Sequence, residues 1–161
     1  MTRTLIIGFG NTLRGDDGAG VRAAERIAAE VPGAEVQTAQ ELQPELAELM
    51  SAYQRVVFID ASLRTTTLVV TPLEPSVVSS LSGTHAVTPE GLLALCGALY
   101  RVLPRQTMLI EIPAFACALG ESMTEATARM VDRCVACVAD ILAGRPTPEF
   151  PLTSSPPSSI A

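Results

Sequence analysis

Apolar residues fall along this chain in two alternating rhythms. Thr4-Leu-Ile-Ile-Gly-Phe is a short apolar run closed by Gly10-Asn11, which predicts a strand buried on both faces. After a loop from Asn11 to Gly18, Val21, Ala24, Ile27 and Ala28 recur at helical spacing while Arg22, Glu25, Arg26 and Glu30 take the other side, so a helix is expected over 19–30. Pro32-Gly33 ends it. Glu35-Val-Gln-Thr reads as a second short strand, and Pro44 opens a helix through Met50 with Leu46 and Leu49 inward. Arg55-Val-Val-Phe-Ile-Asp60 is the clearest strand. Thr65-Thr-Thr-Leu-Val-Val-Thr reads as another, on an antiparallel edge because it follows too closely for a helical crossover.

The same rhythm continues to Leu142. Thr88-Pro89-Glu90 supplies an N-cap, an N1 proline and a first-turn acid for a helix through Tyr100, with Leu92, Cys96 and Leu99 as its core stripe. Thr107-Met-Leu-Ile-Glu-Ile is the last strand. Ser122-Met-Thr-Glu125 has the spacing of a capping box, and the helix after it carries Met130, Cys134, Val138 and Ile141 on one face. Strands alternating with helices predict an α/β fold: a three-layer sandwich with a mostly parallel, about five-stranded sheet and helices on both faces. The domain is expected over 1–144. Residues 145–161, with five prolines and four serines, read as a disordered tail.

Composition narrows the picture. At 161 residues and 48% apolar, the chain can fill one core without a metal or disulfide staple. No apolar run reaches the ~20 residues of a membrane span, and the first one ends too early for a secretion signal, so a soluble cytoplasmic protein is expected. Seventeen acids oppose eleven bases, all arginine, giving a net charge of −6 with no basic cluster, which argues against a nucleic-acid partner. The four cysteines are expected to be reduced. Cys134-x-x-Cys137 lies within an amphipathic helix without a second pair, and reads as core packing rather than a zinc site.

In an open α/β sheet, sites form beyond the carboxyl ends of the strands. Gly8-x-Gly10 suggests a dinucleotide loop there, but a third glycine is needed where Leu13 stands, and the adjacent acids Asp16 and Asp17 would repel a pyrophosphate. Each candidate at this rim has an ordinary reading: Asp17 as the N-cap of the first helix, Asp60 as an Asx-turn residue, His85 as a loop residue of the surface. Capping does not account for two adjacent acids. Asp17, Asp60 and the chain's one histidine, His85, each follow a strand or precede a helix and so can meet at one rim. Two carboxylates and an imidazole suit nickel, zinc or iron, with coordination positions left open. Covalent catalysis has weaker support. No G-x-S-x-G elbow exists, Ser79, Ser80 and Ser82 are merely near His85, and Cys96 falls on the core stripe.

The segment from Ile6 to Val21, IIGFGNTLRGDDGAGV, resembles the N-terminal signature of the nickel–iron hydrogenase maturation endopeptidases. Val56-Val-Phe-Ile-Asp-Ala is similar to that family's second acidic motif, and Thr84-His-Ala-Val-Thr-Pro-Glu-Gly-Leu-Leu to its histidine motif. The resemblance spans about Thr4 to Leu142. It implies metal ligation by Asp17, Asp60 and His85, and removal of a C-terminal extension from a hydrogenase large-subunit precursor after nickel insertion. By the resemblance the nickel arrives with the substrate. Asp16 is a candidate helper, orienting Asp17 or accepting a proton, on adjacency alone. Thr38-Ala-Gln-Glu-Leu-Gln-Pro-Glu-Leu departs from the family's glycine-rich, acid-containing loop and looks more like relatives serving cytoplasmic, bidirectional or cofactor-reducing hydrogenases. This bears on substrate identity rather than reaction class. The expected partner is the precursor alone, the expected state a monomer, and the other reading of the same ligands is a non-proteolytic nickel-binding maturation factor.

Overall fold

The computed structural model describes residues 1–76 and 87–147. His85, Ser79, Ser80, Ser82 and residues 148–161 lie outside that set, and with them most of the segment read as a tail.

The apolar runs become β1 (Thr4–Phe9), β2 (Glu35–Ala39), β3 (Arg55–Ser62), β4 (Val69–Pro72) and β5 (Gln106–Pro113). The amphipathic segments become α1 (Ala19–Glu30), α2 (Leu46–Met50), α3 (Pro89–Tyr100) and α4 (Glu125–Leu142). The sheet order is β2-β1-β3-β5-β4, with every neighbouring pair parallel except β4 against β5. This is the expected three-layer α/β architecture.

Alternation along the strands builds the two cores. Ile6, Val57, Ile59, Ile110 and Ile112 pack with Ala23 and Ile27 of α1 and with Cys134, Val138 and Ile141 of α4. Leu5, Ile7, Val56 and Phe58 point the other way, onto Ala47 and Met50 of α2 and Leu92 and Cys96 of α3. Residues of opposite parity on one strand therefore serve opposite layers, as a sheet covered on both faces requires.

Four local readings shift. β4 starts at Val69 rather than Thr65, so only the apolar end of the threonine-rich run pairs with β5. α2 begins at Leu46, after turn bonds from Leu46 N–H to Gln43 O and from Ala47 N–H to Pro44 O. The cap of α4 is Thr124, whose Oγ1 accepts the Thr127 N–H, so Ser122 is not part of a capping box. Leu99 is exposed, because the buried positions of α3 end at Cys96 and its last turn, closed by a left-handed cap at Arg101, adds none to the core. Thr88 caps α3 as expected, accepting the Gly91 N–H at 3.0 Å. Among the described residues, no helix is long and apolar enough to cross a membrane.

Candidate functional site

The strand order places a switch point between β1 and β3. From β1 the chain crosses through α1 to β2 on one side, then returns through α2 to β3 on the other. Connections that leave in opposite directions open a crevice at the carboxyl ends of the two central strands. Asp17 follows β1 in a single 3₁₀ turn, Gly15–Gly18, and Asp60 lies near the end of β3. Both line one cleft of about 270 Å³, together with Arg64, Glu111, Cys117 and Leu63.

The glycines of the first motif explain why the chain folds this way here. A Cβ on Gly8 would stand 2.3 Å from the Gly20 carbonyl oxygen, and one on Gly20 would stand 2.3 Å from that of Ile59. The first turn of α1 therefore lies directly on β1 and β3. Gly10, at φ +139°, turns the chain where a Cβ would meet the Asp17 carbonyl at 2.1 Å. These glycines serve helix-on-sheet contact and leave no phosphate cradle.

The two adjacent acids face different ways. Asp16 is fully buried and does not line the cleft. Its Oδ2 accepts the N–H groups of Phe115 and Ala116 and the Thr124 hydroxyl, and its Oδ1 accepts the Thr124 N–H, at 2.7–3.1 Å. Burial alone would raise its pKa, but these four bonds together outweigh it and hold the carboxyl below the usual range. Asp17 is half-buried, and its Oδ2 accepts the Asn11 N–H at 2.9 Å. It does not cap α1: the cap position is Gly18, with no side-chain bond.

Burial pushes the Asp60 carboxyl up to about 7, and the nearby charges of Asp17 and Glu111 add to the rise, while the Ala61 N–H and Arg64 oppose it. Glu111 is the in-register partner of Asp60 on β5. The exposed Arg64 guanidinium stands 3.8 Å from its carboxylate. Sequence reasoning missed Glu111 and Cys117. An acid interrupting the apolar run Met108-Leu-Ile-Glu-Ile was the available signal for Glu111, whereas Cys117 lies in a loop with no pattern.

Chemically, this rim suits a cation. Three carboxylates, those of Asp17, Asp60 and Glu111, line one cleft, and the raised Asp60 pKa reflects burial beside other acids. Among the described residues, no group of three or more His, Cys, Asp or Glu is arranged to hold a metal ion, and His85, the expected third donor, is not among them. Cys134 and Cys137 are buried in α4, where burial pushes the Cys137 thiol up to about 11, which suits packing rather than ligation. Cys96 donates its thiol hydrogen to the Val102 carbonyl at 3.3 Å.

No family model matches the sequence, and no curated protein sequence matches it. Solved structures do. A [NiFe] hydrogenase maturation protease, HycI, from Thermococcus kodakarensis KOD1 superposes with a TM-score of 0.70 at 23% identity, over 88% of this chain and 93% of that one. The hydrogenase maturating endopeptidase HybD from E. coli gives 0.68 at 18% identity, over 88% and 94%. The [NiFe] hydrogenase maturation protease HybD from Thermococcus kodakarensis gives 0.64 at 26% identity, over 87% and 99%. In fold the chain is similar to these [NiFe] hydrogenase maturation proteases, the family that its three ordered sequence motifs resemble.

Proposed function

We propose that the protein is an endopeptidase that removes the C-terminal extension of a nickel–iron hydrogenase large-subunit precursor once nickel has been inserted. The observation that carries this reading is the pairing of Asp17 and Asp60 in one cleft at the β1/β3 switch point, with Asp17 free of capping duty. The fold and the motif order support it.

Nickel is here part of the substrate, supplying a Lewis acid beside the bond to be cut. Asp17 presents a carboxylate oriented by the Asn11 N–H, and its Oδ1 makes no hydrogen bond among the described residues. Asp60 holds a proton to about pH 7 when no cation is near, and gives it up when one arrives. His85 completes the donor set by the motif resemblance. Asp16, with its carboxylate committed to the β5–α4 connection, is a scaffold residue in this scheme and not a proton carrier. The protein works in the cytoplasm as a monomer.

The test is to mix the purified protein with nickel-loaded and nickel-free precursor and weigh the large subunit by mass spectrometry. Loss of the extension from the loaded form alone is expected. Nickel binding without any cleavage would instead make the protein a non-proteolytic maturation factor, and equal cleavage of both forms would remove the nickel-sensing step.

A further inference from the structure

Among the described residues, and apart from Met1, the exposed large apolar side chains fall into two groups, one on the loops that follow β1, β3 and β5 and one on the last turn of α3 and the residues just beyond it. Leu13, Leu63, Phe115 and Leu119 are 67%, 70%, 53% and 67% exposed. All four sit on loops that leave the carboxyl end of the sheet, where Asp17 and Asp60 stand. Leu63 itself lines the cleft, as does Ala114, the neighbour of Phe115.

Backbone bonds weld these loops into one rim. The Gly120 N–H donates to the Leu13 carbonyl at 2.8 Å, the Asp16 N–H to the Ala116 carbonyl at 2.9 Å, and the Ala114 N–H to the Ser62 carbonyl at 2.9 Å. Asp16 holds the same segment from below through the Phe115 and Ala116 N–H groups. A buried carboxylate has thus fixed the backbone beneath a side chain, Phe115, that packs into no core cluster. Large apolar groups held in place at a cleft mouth mark a recognition surface, because their exposure weakens the free protein and is recovered only on binding.

We infer that Leu13, Leu63, Phe115 and Leu119 form the docking surface for the polypeptide segment flanking the bond to be cut, and that this segment is apolar and free of acidic side chains. The inference rests on the protease reading given above and deepens it. Continuity with the cleft argues for the peptide as occupant. So does charge: Asp17, Asp60 and Glu111 line the cleft against one cation among the described residues, Arg64, so an acidic segment would be repelled. The other apolar group, Leu99 and Tyr100 on the last turn of α3 with Val102 and Leu103 just after it, lies ahead of the amino end of β5 and shares no lining with this cleft.

The experiment compares the unaltered protein with the double variant Phe115→Ser/Leu119→Ser and with Phe115→Leu, on a nickel-loaded large-subunit precursor from the same organism. These side chains are exposed, so thermal stability and nickel binding by the isolated protein should not change. Covering one large apolar side chain on binding is worth about tenfold in affinity or more, so KM for the double variant should rise at least about tenfold. The turnover number should stay within about twofold, as removal of uniform binding requires, and Phe115→Leu should keep the original KM. An unchanged KM, or a fall in turnover alone, overturns the docking surface while leaving the protease reading intact. If the unaltered protein cuts no precursor, the protease reading falls, and affinity for the same precursor by surface plasmon resonance still decides the surface. Weaker binding by the double variant supports it, and equal binding overturns it. A double variant that only turns a dimer into a monomer, with precursor affinity unchanged, also overturns it, since the face would then serve self-association.

Discussion

The carboxylate of Asp16 accepts the backbone N–H of Phe115 at 2.8 Å across 99 residues of sequence. Its neighbour Asp17 lines the cleft instead. One acid of the pair thus fixes the loop that borders the site, and the other faces whatever enters it. The divergence of these two neighbours follows from the 3₁₀ turn over Gly15–Gly18, which sends consecutive side chains about a third of a turn apart.

Replacing Asp16 should cost stability before it costs chemistry. Asp16→Asn keeps the shape but aims amide hydrogens at backbone donors, and Asp16→Ala leaves the N–H groups of Phe115, Ala116 and Thr124 without this acceptor. Removing one partner from buried charge-assisted bonds of this kind costs about 2–4 kcal/mol. Urea unfolding at pH 7 should show that fall in stability. Because the folded carboxyl lies below its ordinary value, its stabilising share is present above the unfolded value and lost as pH falls through the folded one. The acid limb of the stability curve should therefore be shallower in Asp16→Asn.

Asp60 works in the opposite sense. In the folded protein its carboxyl ionises at about 7, against an ordinary value of 3.8. Between those values the folded form holds a proton that the unfolded chain has released, so this group's contribution to stability falls as pH rises and levels off above about 7. Melting temperatures in a metal chelator should decline from pH 5 to pH 8 more steeply for the unaltered protein than for Asp60→Asn. Parallel curves would show that burial does not shift this carboxyl.

Asp17→Ala, Asp60→Ala and His85→Ala should each lower processing of nickel-loaded precursor by at least about 100-fold, since even outer-shell changes at metal sites cost 10–100-fold. Asp17→Ala removes one partly exposed bond to the Asn11 N–H and should cost only about 1 kcal/mol of stability. Time courses followed by mass spectrometry, beside melting curves, separate the two effects. A variant that processes at the normal rate would remove its residue from the site.

The layer order and the pairing of Asp17 with Asp60 were legible because periodicity reports which face of an element is buried, and topology then dictates which strand ends meet. The roles within the acid pair were not. Asp16 takes its partners from residues 115–124, and no local pattern reveals a bond across that separation. Glu111 was hidden for a related reason. A single acid in an apolar strand acquires meaning only once the register sets it beside Asp60. The cap of α4 was misplaced by two residues because Ser122 and Thr124 are both capping residue types, and tertiary structure, here the Thr124 bonds to Asp16, chose between them.

Gly20→Ala tests whether close packing of α1 on the central strands sets the site. Local propensity alone favours the change, since alanine in place of glycine within a helix gains about 1 kcal/mol. Packing opposes it: the new Cβ would sit 2.3 Å from the Ile59 carbonyl oxygen and 2.7 Å from that of Phe9. Neither atom can give way without breaking strand pairing, so the start of α1 must lift by about 1 Å to reach ordinary van der Waals distance. Overpacking of this kind costs about 1–3 kcal/mol, and against rigid backbone the upper end applies, so the steric term outweighs the propensity gain. Asp17 lies just ahead of α1 and would move with it relative to Asp60. A displacement of that size at a reacting centre can cost about 100-fold in rate. Unfolding and precursor processing measured on the same preparation should therefore both show the damage, with processing falling further than the reduced folded fraction explains. If processing tracks the folded fraction alone, the glycine serves the core and does not position the carboxylates.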